Sequence, residues 1–311
     1  MSEPVVALLA GGVSGEREVS FRSAEAVAIA LRRDFQVEFH QVDEEAVPEA
    51  VDPGRHVVFS TLHGIFGEDG GMQTLLDRRG VPYAGSDAAS SRLCMNKTDT
   101  KRRVAEGGVT APRGLCFDAG EPPEIGRLID ELGPRIVLKP NGEGSSIGLH
   151  FAEGRDELAA LVRTLDQGAW LAEERIHGRE LTIGVLDGRA MGVVEIIPDS
   201  GRYDYESKYT RGRTQYRFPA EIPESATAAL RRSAETAFAL CGCRDFARVD
   251  FILPERGAPR FLEINTLPGL TATSLLPKSA ACEGFDFNEL ARRLIMPAFE
   301  RFNFIEGRTG S

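Results

Sequence analysis

Missing from this chain is any apolar run long enough to span a membrane, any fixed-period repeat and any low-complexity tract. Those absences exclude helical membrane proteins, repeat solenoids and composition-biased linkers. An excess of positive charge is missing too. The 47 acidic residues outweigh 37 basic ones for a formal net charge of -10, which argues against nucleic acid or an anionic membrane as main partner. Local basic sites for phosphate are still compatible with that balance. No basic n-region and no cleavable apolar segment open the sequence, and its five cysteines are odd in number and scattered. A reduced, cytoplasmic protein is expected. Cys241 and Cys243 stand one residue apart in "ALCGCRDF", but no second Cys or His pair at zinc-site spacing accompanies them, so they read as core or near-surface thiols. The stretch "IEGRTGS" resembles a protease-cleavage linker, and residues 306–311 are expected to lie outside the fold.

What is present is an ordinary globular composition in 311 residues, long enough for two or three domains with a large core. The segment "PVVALLAGG" reads as a strand, "VSGERE" as a turn, and "VSFRSAEAVAIALRR" as a helix with apolar residues at helical spacing. A second apolar strand, "HVVFSTLHG", precedes a Gly-rich loop "GIFGEDGG", a short helix near "MQTLLDRRG" and the loop "VPYAGSDAASS". Strands alternating with helices predict a largely parallel α/β sheet over residues 1–95, with functional residues on loops at the carboxyl ends of strands. Glu16, His63 and Gly64 lie on such loops. From Met95 the pattern becomes α+β. A helix carrying Lys97 and Lys101 leads to "RIVLKPNGEGSSIGLHFAEG", read as strand, loop and strand, then to a helix "RDELAALVRTL" and a strand "WLAEERI". That unit covers residues 96–180. Residues 181–305 form a third, with strands, the polar aromatic loop "YDYESKYTRGRTQY", an amphipathic helix at "SATAALRRSAETAFALCG" and a hairpin.

The hairpin, "ARVDFILPERGAPRFLEINTLPG", puts two carboxylates and an amide into an apolar segment. With strands from Ala247 to Leu253 and Arg260 to Asn265, side chains alternate faces, so Arg248 and Asp250 share one face, as do Glu263 and Asn265. The simplest register sets Asp250 opposite Glu263, and like charges facing each other destabilise a sheet. The other face, with Val249, Phe251, Phe261 and Ile264, is apolar enough to be buried. Two carboxylates and an amide oxygen are an all-oxygen ligand set suited to Mg²⁺. An exposed face with Arg248 as counter-ion explains the same residues, and the hairpin alone does not choose.

Lys139 ends the strand "RIVLK" beside the loop "NGEGSSIG", where an ammonium and backbone N–H groups could close over phosphate. The loop is not a Walker sequence, and most Gly/Ser loops are only turns. Lys97 is a second phosphate candidate, although helix lysines usually face solvent. Glu173, Ile176 and Glu180 frame "LAEERIHGRE", whose carboxylates could accept from ribose hydroxyls while neighbouring backbone reads an adenine edge. As isolated residues they would be surface charges.

The stretches "LLAGGVSGEREVSFRS", "HGIFGEDGGMQTLLDRRGVPYAGS", "MNKTDTKR", "VLKPNGEGSSIG", "YDYESKY", "ARVDF" and "EINTLPGLTATSLLP" stand in the order and spacing of the D-alanine:D-alanine ligases. The chain resembles that family of the ATP-grasp superfamily from Val5 to about Ile295. "EINTLPG" and "RVDF" alone indicate ATP-grasp, whereas "SGEREVS", "HGIFGEDG" and "YDYESKY" single out the ligase branch.

The resemblance implies a three-domain ATP-grasp architecture with an N-terminal parallel α/β domain that binds substrate and ATP held between the other two. It implies Lys97, Lys139, Glu173, Ile176 and Glu180 as nucleotide contacts, and Asp250, Glu263 and Asn265 as ligands of two Mg²⁺ ions, with Mn²⁺ as a substitute. Glu16 would pair with the ammonium of the first D-alanine, near His63. Arg248 and the Gly269 N–H would stabilise an oxyanion, and Ser274 and Lys208 would hold the second substrate's carboxylate. Ser145 and Tyr209 would join Glu16 in a hydrogen-bonded set that closes the site. The implied partners are D-alanine and ATP, with no nucleic acid or membrane, in a homodimer. Two departures are Asn96, where the motif often has Asp, and Arg211 and Arg213 in "TRGRT", whose one physical role would be extra attraction for triphosphate. Rival readings are a ligase with D-lactate as second substrate, a non-catalytic nucleotide-binding protein on the same scaffold, and another ATP-grasp carboxylate–amine ligase. The intact "YDYESKY", the presence of Arg248 with every metal ligand, and "SGEREVS" argue against them in turn.

Overall fold

The structure, a computed structural model, describes residues 4–145, 147–199, 213–271, 273–305 and 307. The apolar run Val5–Gly11 is strand β1 and is buried along its whole length. A strand apolar at every position needs cover on both faces, which a parallel sheet between helix layers provides. β1 is the centre of a parallel sheet, flanked by β2 (Val37–Val42) and β3 (His56–Ser60). Val6, Leu8 and Ala10 pack toward helix α1 (Arg17–Leu31) and the last helix, α9 (Phe287–Ile305). Ala7 and Leu9 pack toward α2 (Gly71–Arg79). The criterion of an apolar run does not reach β2. Its sequence "VEFHQV" is a half-exposed sheet edge whose signal is apolar and polar alternation.

Two short helices follow, α3 (Ala88–Met95) and α4 (Lys97–Ala105). Asn96 caps α4, its side-chain oxygen accepting from the Asp99 N–H at 3.0 Å. Asparagine caps a helix as well as aspartate does, so the departure from the motif costs the helix nothing. An antiparallel sheet then runs in the order β4 (Gly114–Asp118), β7 (Ala169–Glu174), β5 (Arg135–Pro140), β6 (His150–Glu153). Helices α5 (Ile125–Leu132) and α6 (Arg155–Val162) cover it around Leu128, Ile136 and Trp170. The last sheet, also antiparallel, has the order β10 (Thr214–Arg217), β9 (Arg189–Pro198), β8 (Arg179–Leu186), β11 (Phe246–Leu253), β12 (Arg260–Asn265). It packs on α7 (Glu224–Leu240) and α8 (Leu275–Ala281).

A buried aspartate fastens the first and last parts of the chain. Asp245 accepts from the Gly85 N–H at 2.8 Å and from both terminal nitrogens of Arg301 at 3.0 and 2.6 Å. Arg301 also donates to the Tyr83 carbonyl at 2.6 Å. Cys94 and Cys243 likewise meet across the fold, with sulfurs 3.6 Å apart beside buried Cys241, so the paired cysteines of "ALCGC" are core thiols.

Candidate active site

In the hairpin of β11 and β12, Asp250 stands opposite Glu263 and Arg248 opposite Asn265. Strict alternation would put Phe261 on the same face as Glu263, but a bulge between Asp250 and Phe251 makes Phe261 the partner of Phe251. Leu262 is the extra residue. The bulge lets Val249, Phe251, Phe261 and Ile264 all enter the core while both carboxylates keep the other face. Asp250 is buried, accepting from the Thr182 hydroxyl at 2.5 Å and from Arg248 at 2.8 and 3.0 Å. Glu263 has the Lys97 ammonium 3.8 Å away, and the Asn265 side-chain oxygen accepts from the Leu267 N–H. Facing carboxylates are thus tolerated here with cations set beside them. Arg248 is the counter-ion of Asp250, and the donor set beside it is all oxygen, which fits a hard divalent cation.

That face opens on a cavity of about 600 Å³ lined from all three sheet regions. Glu16, at the start of α1, and His63, beyond β3, come from the parallel sheet; Lys97 begins α4. Ser145 comes from the loop between β5 and β6, and Arg248, Glu263, Asn265, Gly269 and Ser274 from the hairpin and its exit. Glu16 is buried and accepts the Ser145 hydroxyl hydrogen, and its carboxylate sits at a helix N-terminus, where the peptide dipoles favour negative charge. Lys97 is buried and donates to the Glu143 carbonyl in the same loop, contrary to the habit of helix lysines. A Cβ on Gly269 would stand 3.1 Å from the Ser274 hydroxyl, so glycine keeps this turn close to the serine.

His63 has one ring nitrogen 3.1 Å from the Ser23 hydroxyl and the other 3.3 Å from Glu68. The Leu270 N–H donates to Ser23 at 3.4 Å, linking this chain to the hairpin exit. Burial pushes the Glu68 carboxyl up, against the pull of His63. The role of Glu68 in holding His63 was not legible in "HGIFGEDG", where it is one acid among several polar residues.

Lys139, Glu173, Ile176, Glu180 and Asp250 do not line this cavity. Lys139 and Glu173 instead form a buried ion cluster with Lys101. The Lys101 ammonium holds one Glu173 oxygen and Lys139 the other, at 2.6 Å. Burial alone would push Glu173 up, yet the two ammonium groups outweigh it and hold the carboxyl below its ordinary value. Burial and repulsion from Lys139 push Lys101 down, against the attraction of Glu173. Burial also opposes the Lys139 charge, but Glu173 prevails and holds it above the ordinary value. The sequence signal for Lys101 was its place one turn after Lys97, on the same helix face. Ile176 lies in the turn between β7 and β8, and Glu180 on β8 opposite Ile196 and Ile252. Lys208, Tyr209 and Arg211 lie outside the described residues.

A second group of ligand-type side chains, Glu38 and His40 of β2 and His56 of β3, gathers toward the amino end of the parallel sheet. The Asp52 N–H donates to His56 Nδ1 at 2.9 Å, so Nε2 carries the ring hydrogen and donates it to Glu38 at 3.1 Å. That tautomer has no lone pair at Nε2 for a metal. Among the described residues no helix is long and apolar enough to cross a membrane.

Among the described residues, one parallel sheet, two antiparallel sheets and a lysine beside facing carboxylates place the chain in the ATP-grasp class of ligases. The family described as "D-ala D-ala ligase C-terminus" matches residues 123–296. A D-alanine–D-alanine ligase of Methylacidiphilum infernorum is 40% identical over 299 residues, 96% of each chain. The crystal structure of D-alanine–D-alanine ligase from Bacillus anthracis complexed with ATP superposes with a TM-score of 0.84 at 28% identity, covering 98% of this chain and 100% of that one. The VanG D-Ala:D-Ser ligase of Enterococcus faecalis gives 0.84 at 27%, covering 96% and 100%. The chain belongs to the D-alanine–D-alanine ligase family.

Proposed function

We propose that this chain joins two D-alanine molecules into D-alanyl-D-alanine for peptidoglycan precursor synthesis, splitting ATP to ADP and phosphate through an acyl phosphate. The observation that carries this reading is the convergence of Glu16, Lys97, Arg248, Glu263 and Gly269 on one cavity. Glu16 holds the ammonium of the first D-alanine, and the substrate's carboxylate oxygen attacks the γ-phosphorus of ATP as ADP leaves. Lys97 and Lys139 offset charge on the phosphates, while Glu173, Ile176 and Glu180 seat the nucleoside. Asp250, Glu263 and Asn265 are the residues that would hold two Mg²⁺ ions, or Mn²⁺ in their place, and bound ions would neutralise charge on the transferring group.

The neutral amine of the second D-alanine then attacks the acyl carbon, and phosphate leaves. Arg248 and the Gly269 N–H donate to the oxyanion formed on the way. Ser274, with Lys208, takes the carboxylate of this second substrate, and His63 borders the first. Ser145 and Tyr209 close over Glu16 and keep water from the acyl phosphate. The bond from Ser145 to Glu16 supports that closure.

In this reading residues 1–95 bind substrate, 96–180 and 181–305 grasp the nucleotide, and the enzyme is a cytoplasmic homodimer without nucleic-acid or membrane partners. The net charge of -10 supports the last point. The test is release of phosphate and dipeptide from ATP, Mg²⁺ and D-alanine, with L-alanine, D-lactate and D-serine as controls. Turnover with D-alanine alone is expected. Release indifferent to the stereochemistry of alanine would refute the substrate assignment, and preference for D-lactate would move the second substrate.

A further inference from the structure

The buried ion cluster contains a residue that the reaction leaves without a task. The ammonium of Lys101 pairs with one oxygen of Glu173, and Lys139 takes the other at 2.6 Å. Glu173 is buried, with a side-chain exposure of 3%, and the two lysines are largely shielded, at 10% for Lys101 and 12% for Lys139. One carboxylate therefore serves two cations. If Glu173 had Lys139 as its single partner, moving that lysine would leave a buried charge uncompensated, which folded proteins strongly resist. A second partner removes the obstacle. Two ammonium groups on one carboxylate also repel each other, and a triphosphate that draws one away relieves the repulsion.

The two lysines are placed for different tasks. Lys139 stands at the end of β5, next to the glycine-rich loop that also carries Ser145 to the cavity. Lys101 projects from α4, a helix capped by Asn96 and anchored by Thr100. We propose that Lys101 is a positioning residue for the nucleotide, remaining on Glu173 as its counter-ion so that Lys139 can leave the carboxylate and follow the phosphates of ATP. The inference rests on the nucleotide reading of this cluster given above.

The experiment compares K101M, which keeps the length of the stem without the charge, with K101R, K139M and a pair in the E173Q background. With D-alanine saturating, K101M is expected to raise the KM for ATP about tenfold or more, with kcat and the KM for D-alanine changed less than about threefold. K101R restores the KM, because charge rather than shape is required. The neutral amide introduced by E173Q needs no counter-ion, so E173Q and the double variant K101M/E173Q are expected to differ less than about threefold. The double variant has no orphaned carboxylate and decides the matter if K101M alone does not fold. A tenfold difference between those two overturns the proposal. A raised KM in K139M with none in K101M overturns it while sparing the nucleotide reading. An unchanged KM in K139M overturns both.

Discussion

Ser145 donates its hydroxyl hydrogen to the carboxylate of Glu16, a residue 129 positions earlier in the chain. The bond joins the loop between β5 and β6 to the N-terminus of α1, two walls of one cavity. Ser145 holds a φ of 53°, a left-handed conformation that a non-glycine residue keeps only where its surroundings impose it.

Ser145→Ala removes that bond to a buried carboxylate. A hydrogen bond to a charged group contributes about 1.5 to 3 kcal/mol, so kcat/KM for dipeptide formation is expected to fall about tenfold to hundredfold. Phosphate release should also outrun dipeptide formation, because the looser site admits water. Equal amounts of the two products in the variant would count against a closing role.

Glu263→Gln relieves the confrontation with Asp250 while removing a charged oxygen ligand. Fold stability by urea denaturation is expected to change by less than about 1 kcal/mol, since lost attraction to Lys97 is offset by lost repulsion. The Mg²⁺ concentration for half-maximal activity should rise at least about tenfold. An unchanged Mg²⁺ dependence would remove Glu263 from the ligand set.

Asp245→Ala strips a buried acceptor from Arg301 and from the Gly85 N–H. It also places alanine at a φ of 60°, where aspartate is better tolerated. The expected loss is about 3 kcal/mol of stability. Chemical denaturation would measure it, and a loss below about 1 kcal/mol would show that the fastening between Tyr83 and Arg301 holds without this carboxylate.

The depressed pKa of Glu173 fixes the sign of an acid limb. The folded carboxyl lies below its ordinary 4.5, so the unfolded chain binds that proton more readily. The stabilisation is complete above about 4.5 and is lost as pH falls through the lower folded value. Wild type should therefore lose stability more steeply than Glu173→Gln in urea titrations run downward from about pH 5. Parallel curves would mean that the two lysines do not favour the ionised form.

The geometry of the hairpin was legible along the chain. A short loop and a period of two suffice to set Asp250 against Glu263, and the structure has that register. The bulge at Leu262 was not legible, because it answers a demand from the core that both Phe261 and Ile264 be buried. Strand β2 carries no apolar run, because a sheet edge is half polar. The pairing of Lys101 with Glu173, 72 residues away, also lay beyond local pattern.

By itself the sequence determined the apolar strands, several of the helices, the order of the motifs and the family they mark, since periodicity, capping and turn chemistry act over a few neighbouring residues. Only the tertiary structure decided which charges share a buried space. Glu173 draws two lysines and Asp250 draws Arg248 because packing removes water from them and leaves each carboxylate to find its counter-ion among groups brought close by the fold.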